Sequence, residues 1–212
     1  MGESHNNLLR LTPIFVLICL LAIFGPAVLG AEHKVAVSVE KSGEAFIVDA
    51  TVDVGVSQEI AWDVMTDFDH MTSILENLTT SKIISCHGNI WIIRQEGIAR
   101  YGLLSLPFES KREVRLEPMK RIQARTLSGT MKRMDDEATI ISLGQGVQIN
   151  YHVEIVVDSL LLRLFGLPFF RYEVEKQFQD MAKEMTRRRA NFESFGKQKQ
   201  MARQDCQHEM GT

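Results

Sequence analysis

From Thr79 to Val157 the chain alternates apolar and polar residues almost without interruption. A period of two places successive side chains on opposite faces of a strand. So long a run therefore folds as several antiparallel strands, dry on one face and wet on the other. Turn signals divide it. Lys82 to His87 and Ile90 to Tyr101 flank the turn His87-Gly88-Asn89, and Phe108 to Glu117 stops at Pro118. Arg121 to Ser128 runs up to Gly129, and Met131 to Leu143 and Gln145 to Val157 close the set. The pattern is sharpest where Glu109, Lys111, Glu113, Arg115 and Glu117 oppose Phe108, Ser110, Arg112, Val114 and Leu116.

Ahead of this run, Ala45 to Val54 reads as a strand with Phe46, Val48, Ala50, Val52 and Val54 on one face. Gly55 turns the chain, Ser57 is placed as a helix N-cap, and Glu59 stands in the first turn. Ile60, Ala61, Val64 and Met65 then recur at helical spacing, and Asp67 to Asn77 continues as a second short helical piece. After the strands comes an apolar stretch, Leu160 to Phe170, read as a lid. A long helix follows, striped by Val174, Phe178, Met181, Met185, Phe192 and Phe195.

A sheet with one dry face must be covered, and only the final helix is long enough to do it. The expected class is α+β: a curved antiparallel sheet of six to seven strands around a long C-terminal helix, with two short helices after the first strand. Strand twist bends such a sheet around the helix and leaves a wide gap between them. Residues 32–43 read as a linker and 44–196 as the domain. Residues 197–212 read as a disordered polar tail.

The first 31 residues stand apart. A polar start ending in Arg10 precedes an apolar run from Leu11 to Ile23, then Gly25, Pro26 and small residues near Gly30. That order is a secretory signal peptide's, or a retained membrane anchor's; an ordinary buried helix is the bland alternative. On the first two readings the domain is exported, to the periplasm. Cys86 and Cys206 then remain, without a reason in the sequence to lie together.

A net charge of −3 gives no case for nucleic acid. Residues 163–203 nevertheless hold ten Lys or Arg against five Asp or Glu. Arg187-Arg188-Arg189 reads as a solvated helix face or a contact for anionic lipid heads. Asp135-Asp136-Glu137 reads as an acidic hairpin turn. The six histidines show no metal-ligand spacing, so no metal or cofactor is expected. The phosphate loop, nucleophile elbow and Cys/His pair of common enzymes do not appear.

Aromatic and thioether residues on inward faces mark a cavity or a filled core: Trp91, Tyr101, Phe108, Met131, Tyr151, Phe178, Met181 and Met185. Gln95 and Arg112 are more telling, because both fall on otherwise apolar faces. A buried guanidinium needs a carboxylate, an oxygen-bearing ligand or water.

The layout of these segments is distinctive. Val56-Ser57-Gln58-Glu59-Ile60-Ala61-Trp62-Asp63-Val64-Met65-Thr66-Asp67 follows the first strand, and the Arg121-Ile122 strand, the Gly129 turn and the terminal helix come later. From Glu44 to Phe195 the chain resembles the START-like (Bet v 1-like) polyketide cyclase/dehydrase and lipid-transport superfamily, nearest its coenzyme Q-binding, cyclase-like branch. The resemblance implies a helix-grip fold with a ligand cavity between sheet and helix. It implies no universal catalytic residue. Two departures concern the ligand: Met131-Lys132-Arg133-Met134 and Gly144-Gln145-Gly146 stand where such domains often have a Gly-x-Trp strand and a Gly-Thr hairpin.

The function expected is binding or transport of a small apolar ligand (lipid, isoprenoid quinone or polyketide-like) by a monomer that is a carrier rather than an enzyme. Its partners are that ligand and a membrane surface, met through residues 160–170 and the Arg-rich helix. One alternative is a cyclase or dehydratase of polyketide-like substrates, using Arg112 with Tyr101 or Tyr151. Another is a protein-interaction module with a filled core.

Overall fold

The computed structural model describes residues 33–209, with side chains described as far as Phe192. The expected signal or anchor segment lies outside the described residues. Eight strands form one antiparallel sheet: β1 (Lys34–Ser42), β2 (Ala45–Val54), β3 (Leu78–His87), β4 (Ile90–Tyr101), β5 (Leu104–Glu117), β6 (Arg121–Gly129), β7 (Arg133–Leu143) and β8 (Gly146–Val156). A helix, α1 (Gln58–Met65), and a 3-10 turn (Phe68–Ser73) connect β2 to β3, and α2 (Leu160–Glu209) ends the chain. The spatial order is β1-β2-β8-β7-β6-β5-β4-β3. Only the β2–β8 pairing is non-sequential, and the crossover through α1 makes it.

The inward residues of β2 and β8 follow the strand period. Phe46, Val48, Ala50, Val52 and Val54 are buried, opposite buried Val147, Ile149, Val153 and Ile155. α1 begins where its capping residues say it should. Ser57 Oγ accepts from the Ile60 amide at 3.4 Å, and Ala61, Val64 and Met65 face the core. Gln58 Nε2 donates to the carbonyls of Met119, at 2.5 Å, and Ile140, at 3.2 Å. Met119 sits in the β5–β6 turn at φ 63°, a conformation unusual for a non-glycine residue, and Gln58 helps to hold it.

α2 has 50 residues, roughly 75 Å of helix. It touches β1 and β2 near one edge of the sheet and β4 near the other, so the sheet wraps around it. Leu162, Phe169, Phe170, Val174, Phe178, Ala182 and Met185 form its buried stripe. At Gly166 the helix lies tight against β2: a Cβ there would lie 2.6 Å from Phe46 Cζ.

Several boundaries differ from the sequence reading. The sheet has eight strands rather than six or seven, because residues read as a linker form β1, whose Val35, Val37 and Val39 lean inward. The short valine alternation is flanked by charge and has one apolar face three residues long, which hides it. Gly43, at φ 61°, turns β1 into β2. β7 starts at Arg133, leaving Met131 in the preceding turn, and β5 starts at Leu104. Leu160 to Phe170 is not a separate lid but the first turns of α2. The helix also runs past Gly196 through residues read as a disordered tail, where Gln, Lys, Arg and Ala favour helix. Asp135, Asp136 and Glu137 lie within β7, not in a turn.

Candidate functional site

The interior cavity is built on two small residues. On β6 and β7, Ala124 pairs with Asp136 and Ala138 lies two residues further along β7. Their methyl groups leave space under α2 that longer side chains would occupy. Around this floor stand Ile93, Val114 and Ile122 from the sheet, Met65, Phe68, Met71 and Leu75 from the crossover, and Gln177, Phe178 and Met181 from α2. The chamber measures about 100 Å³. Ligand sites more often hold roughly 300 Å³ or more, so a larger guest requires the Met181 and Phe178 side chains to move.

One wall of this apolar chamber is polar. Arg112 on β5 reaches past Ala124 and donates from Nη2 to Asp136 Oδ2 on β7. The two side chains are only 11% and 9% exposed, so the pair is essentially out of water. Burial lowers the Arg112 pKa from its ordinary value, while Tyr151 and Asp135 nearby act to raise it. The guanidinium stays charged. Its Nε–H has no acceptor among the described residues. A β-bulge beside Lys111 and Arg112, with Leu127 as the extra residue on β6, leaves Arg112 on the inward phase.

Tyr151 on β8 packs its ring against Phe178, with centroids 5.1 Å apart. Burial pushes its pKa up to about 12, against the opposing field of Arg112. The phenol is therefore a proton-bearing donor at any physiological pH. Gln95 is fixed by a short chain: its Nε2 donates to Ser81 Oγ at 3.1 Å, and Ser81 Oγ donates to the Phe68 carbonyl at 2.5 Å. A ligand in the chamber would meet mostly apolar walls, together with the side chains of Gln95, Arg112, Asp136, Tyr151 and Gln177.

Of the ten candidate residues, Gln95, Arg112, Tyr151, Phe178 and Met181 line this chamber. Trp91 instead packs edge-on to Phe68 and donates to the Gly88 carbonyl at 3.3 Å. Tyr101 meets Phe169 and Tyr172 of α2 at the far end of β4. Phe108 covers Gly97, where a Cβ would come 2.8 Å from its ring. Met131 is half-buried in the β6–β7 turn, and Met185 is core. Asp136 was missed because three consecutive acids look like a solvated turn. The strand period does carry the signal, since Met134, Asp136 and Ala138 share a face.

The acidic residue beside Asp136 belongs to a different feature. A wider concavity, about 450 Å³, lies on the outward face of the sheet among Glu113, Arg125, Asp135, Glu137 and His152. Its charges satisfy one another: Arg125 binds both Glu113 oxygens at 3.1 and 3.0 Å, and Gln123 donates to Glu137 at 2.7 Å. The Arg-rich turn of α2 is likewise occupied. Arg187 and Arg188 pair with Glu184, Arg188 also with Asp67, and Arg189 donates to the Gly55 carbonyl. Among the described residues no His, Cys, Asp and Glu cluster could hold a metal, and Cys86 is free and exposed.

Residues 54–182, more than half of the chain, match a family model described as polyketide cyclase/dehydrase and lipid transport. No curated protein matches the sequence. Among solved structures, the Zhui aromatase/cyclase of a Streptomyces species aligns with a TM-score of 0.61 at 16% identity, covering 68% of this chain and 95% of that one. A Thermus thermophilus protein aligns at 0.59 and 13%, covering 66% and 96%. Human STARD10 aligns at 0.51 and 12%, covering 70% and 72%. At such identities the likeness is one of fold: a START-like, helix-grip fold.

Proposed function

Because this chain belongs to the polyketide cyclase/dehydrase and lipid transport family, we propose that it carries a small, largely apolar ligand bearing one oxygen-containing group, held between sheet and α2. The observation that carries this reading is the polar wall of the cavity. Arg112, whose buried Nε–H has no acceptor among the described residues, lines the chamber beside Gln95, Asp136, Tyr151 and Gln177, and the remaining walls are apolar. An unpaired buried donor costs about 1–3 kcal/mol, which a ligand oxygen would recover. Apolar burial would supply most of the remaining affinity, at about 0.8 kcal/mol per methylene. A lipid head group, an isoprenoid quinone and a polyketide-like ring all present such an oxygen.

Carriage is favoured over a cyclase or dehydratase by the same geometry. Proton abstraction needs a free base beside the substrate. The carboxylate at this wall, Asp136, is engaged by Arg112, and Tyr151 keeps its proton. An interaction module with a filled core is disfavoured by the cavity itself. The apolar segment from Leu11 to Ile23 supports action beyond the inner membrane, and the exposed apolar start of α2 supports loading at a lipid surface.

The test is native mass spectrometry of the full chain purified from its own host, beside an Ala138→Leu variant that fills the floor. The carrier reading predicts a bound apolar molecule on the parent and its loss from the variant. Equal occupancy of both, or an empty parent, overturns it.

A further inference from the structure

The start of α2 is apolar on both of its faces. Leu162, Gly166, Phe169 and Phe170 turn inward and are buried. Leu160, Leu161, Leu164, Phe165 and Leu167 turn outward, with Leu160 and Leu164 about 70% exposed. A helix that merely covers a sheet would place charge there. Beside it lies the tip of the β4–β5 hairpin, whose Leu103 is fully exposed. Two aromatic contacts join hairpin and helix: Tyr101 to Phe169 at 6.4 Å and Tyr101 to Tyr172 at 5.4 Å. These large side chains thus make one surface rather than scattered exposures.

The exposed charges of this surface are mainly positive: acidic residues stand only at its ends, Asp158 ahead of the helix and Glu173, held by Asn77, after Tyr172. From Ser159 to Tyr172 the chain carries Arg163 and Arg171 and no acidic residue, and from Arg100 to Phe108 it carries Arg100 alone. All three arginines are exposed. Apolar side chains that enter the acyl boundary, with cations at head-group height, are the arrangement that binds anionic bilayers. Arg187, Arg188 and Arg189, by contrast, lie several turns further along α2 and pair with Glu184, Asp67 and the Gly55 carbonyl.

We propose that Leu103 and the outward face of the first three turns of α2 form a docking surface that inserts into an anionic bilayer, with Arg100, Arg163 and Arg171 contacting lipid phosphates. It rests on the carrier reading only for its purpose, since docking would bring the helix that roofs the cavity to the lipid phase. The physical claim stands or falls separately.

The experiment uses the full chain in vesicles of brominated-chain lipid, so any attachment through residues 11–23 is common to every variant. A reporter indole is placed by Phe165→Trp on the face, or by Ile84→Trp at a position 52% exposed on β3. In vesicles of phosphatidylglycerol and phosphatidylcholine in equal parts, Phe165→Trp is expected to be quenched at least about threefold more than Ile84→Trp. Adding Leu103→Asp and Leu164→Asp abolishes that excess, and replacing the three arginines by Gln reduces it. Equal quenching at the two positions overturns the proposal, as does equal quenching in pure phosphatidylcholine. An unquenched reporter on a chain of doubled mass would assign the face to a second copy and overturn it too. Ligand retention in the mass spectrometer, measured on the Leu103→Asp and Leu164→Asp variant, separates failure of docking from failure of carriage.

Discussion

Arg112 and Asp136 meet across an intervening strand: one stands on β5, the other on β7, and β6 between them places Thr126 opposite Arg112 and the small Ala124 opposite Asp136. A pair so far from water stabilises little overall, because desolvation offsets much of the attraction. Its members nevertheless depend on each other. Asp136→Asn, which strands the guanidinium, is expected to cost about 3–5 kcal/mol in urea unfolding. The double change Arg112→Met with Asp136→Leu should restore most of that stability while removing the polar wall. A loss below about 1 kcal/mol in Asp136→Asn would show that water reaches the pair.

Gln58 ties α1 to the turn that holds Met119 at positive φ. Gln58→Ala leaves the Met119 and Ile140 carbonyls short of a donor, at an expected cost of about 1–3 kcal/mol. Thermal unfolding followed by circular dichroism measures it. An unchanged midpoint would mean that solvent replaces both bonds.

At Gly166 an added methyl would strike the Phe46 ring. Gly166→Ala should destabilise by about 1–3 kcal/mol through overpacking. Phe46→Leu in the same chain should recover part of this loss, because the two positions share one space. Strict additivity of the two changes in denaturant unfolding would argue that α2 and β2 do not touch there.

Two carboxylates give stability opposite dependences on pH. A hydrogen bond from Arg187 leads the effects that depress the Glu184 pKa on folding, so its contribution is present above the ordinary carboxylate range and is lost as pH falls through the lower, folded value. Glu173 is raised, first by burial, against hydrogen bonds from Asn77 and the Arg100 amide and the charge of Lys176. Its contribution is greatest below the ordinary range and is lost as pH rises through the higher, folded value. Urea midpoints measured from about pH 3 to 7 should therefore show a shallower acid fall in Glu184→Gln. Glu173→Gln should gain on the parent only as pH rises beyond the ordinary carboxylate range.

Most of the fold was readable because the dry face of the sheet is written at period two and the helix at 3.6. β1 escaped because an edge strand covered on one side needs only Val35, Val37 and Val39 to pack, too short a run to outweigh its charged flanks. The site was half readable. Gln95 and Arg112 announced themselves as polar residues on apolar faces, but the partner of Arg112 depends on which strands lie two apart, and no local pattern states that. Trp91, Tyr101 and Phe108 obey the same inward period as the cavity residues. Only the curvature of the sheet decides that they end elsewhere, against Phe68, against α2 and over Gly97. The outward leucines of α2 were read as a lid because their apolar run is continuous, whereas the helix divides it between core and surface.

The central claim, that a guest occupies the space under α2, can be observed through the methionines. Met65, Met71 and Met181 line the chamber, while Met119 and Met131 lie in turns away from it. Phenol serves as the minimal probe, one ring and one hydroxyl; a cavity of about 150 Å³ accepts a benzene ring, so entry into this chamber of about 100 Å³ requires a flexible lining side chain such as Met181 to give. Titrating it into methyl-labelled full chain should shift the first three methyl resonances, saturably, and leave the other two in place, with the response weakened by Arg112→Met. Shifts spread over all five methyl groups, or confined to Met119 and Met131, would contradict a guest held between the sheet and the helix.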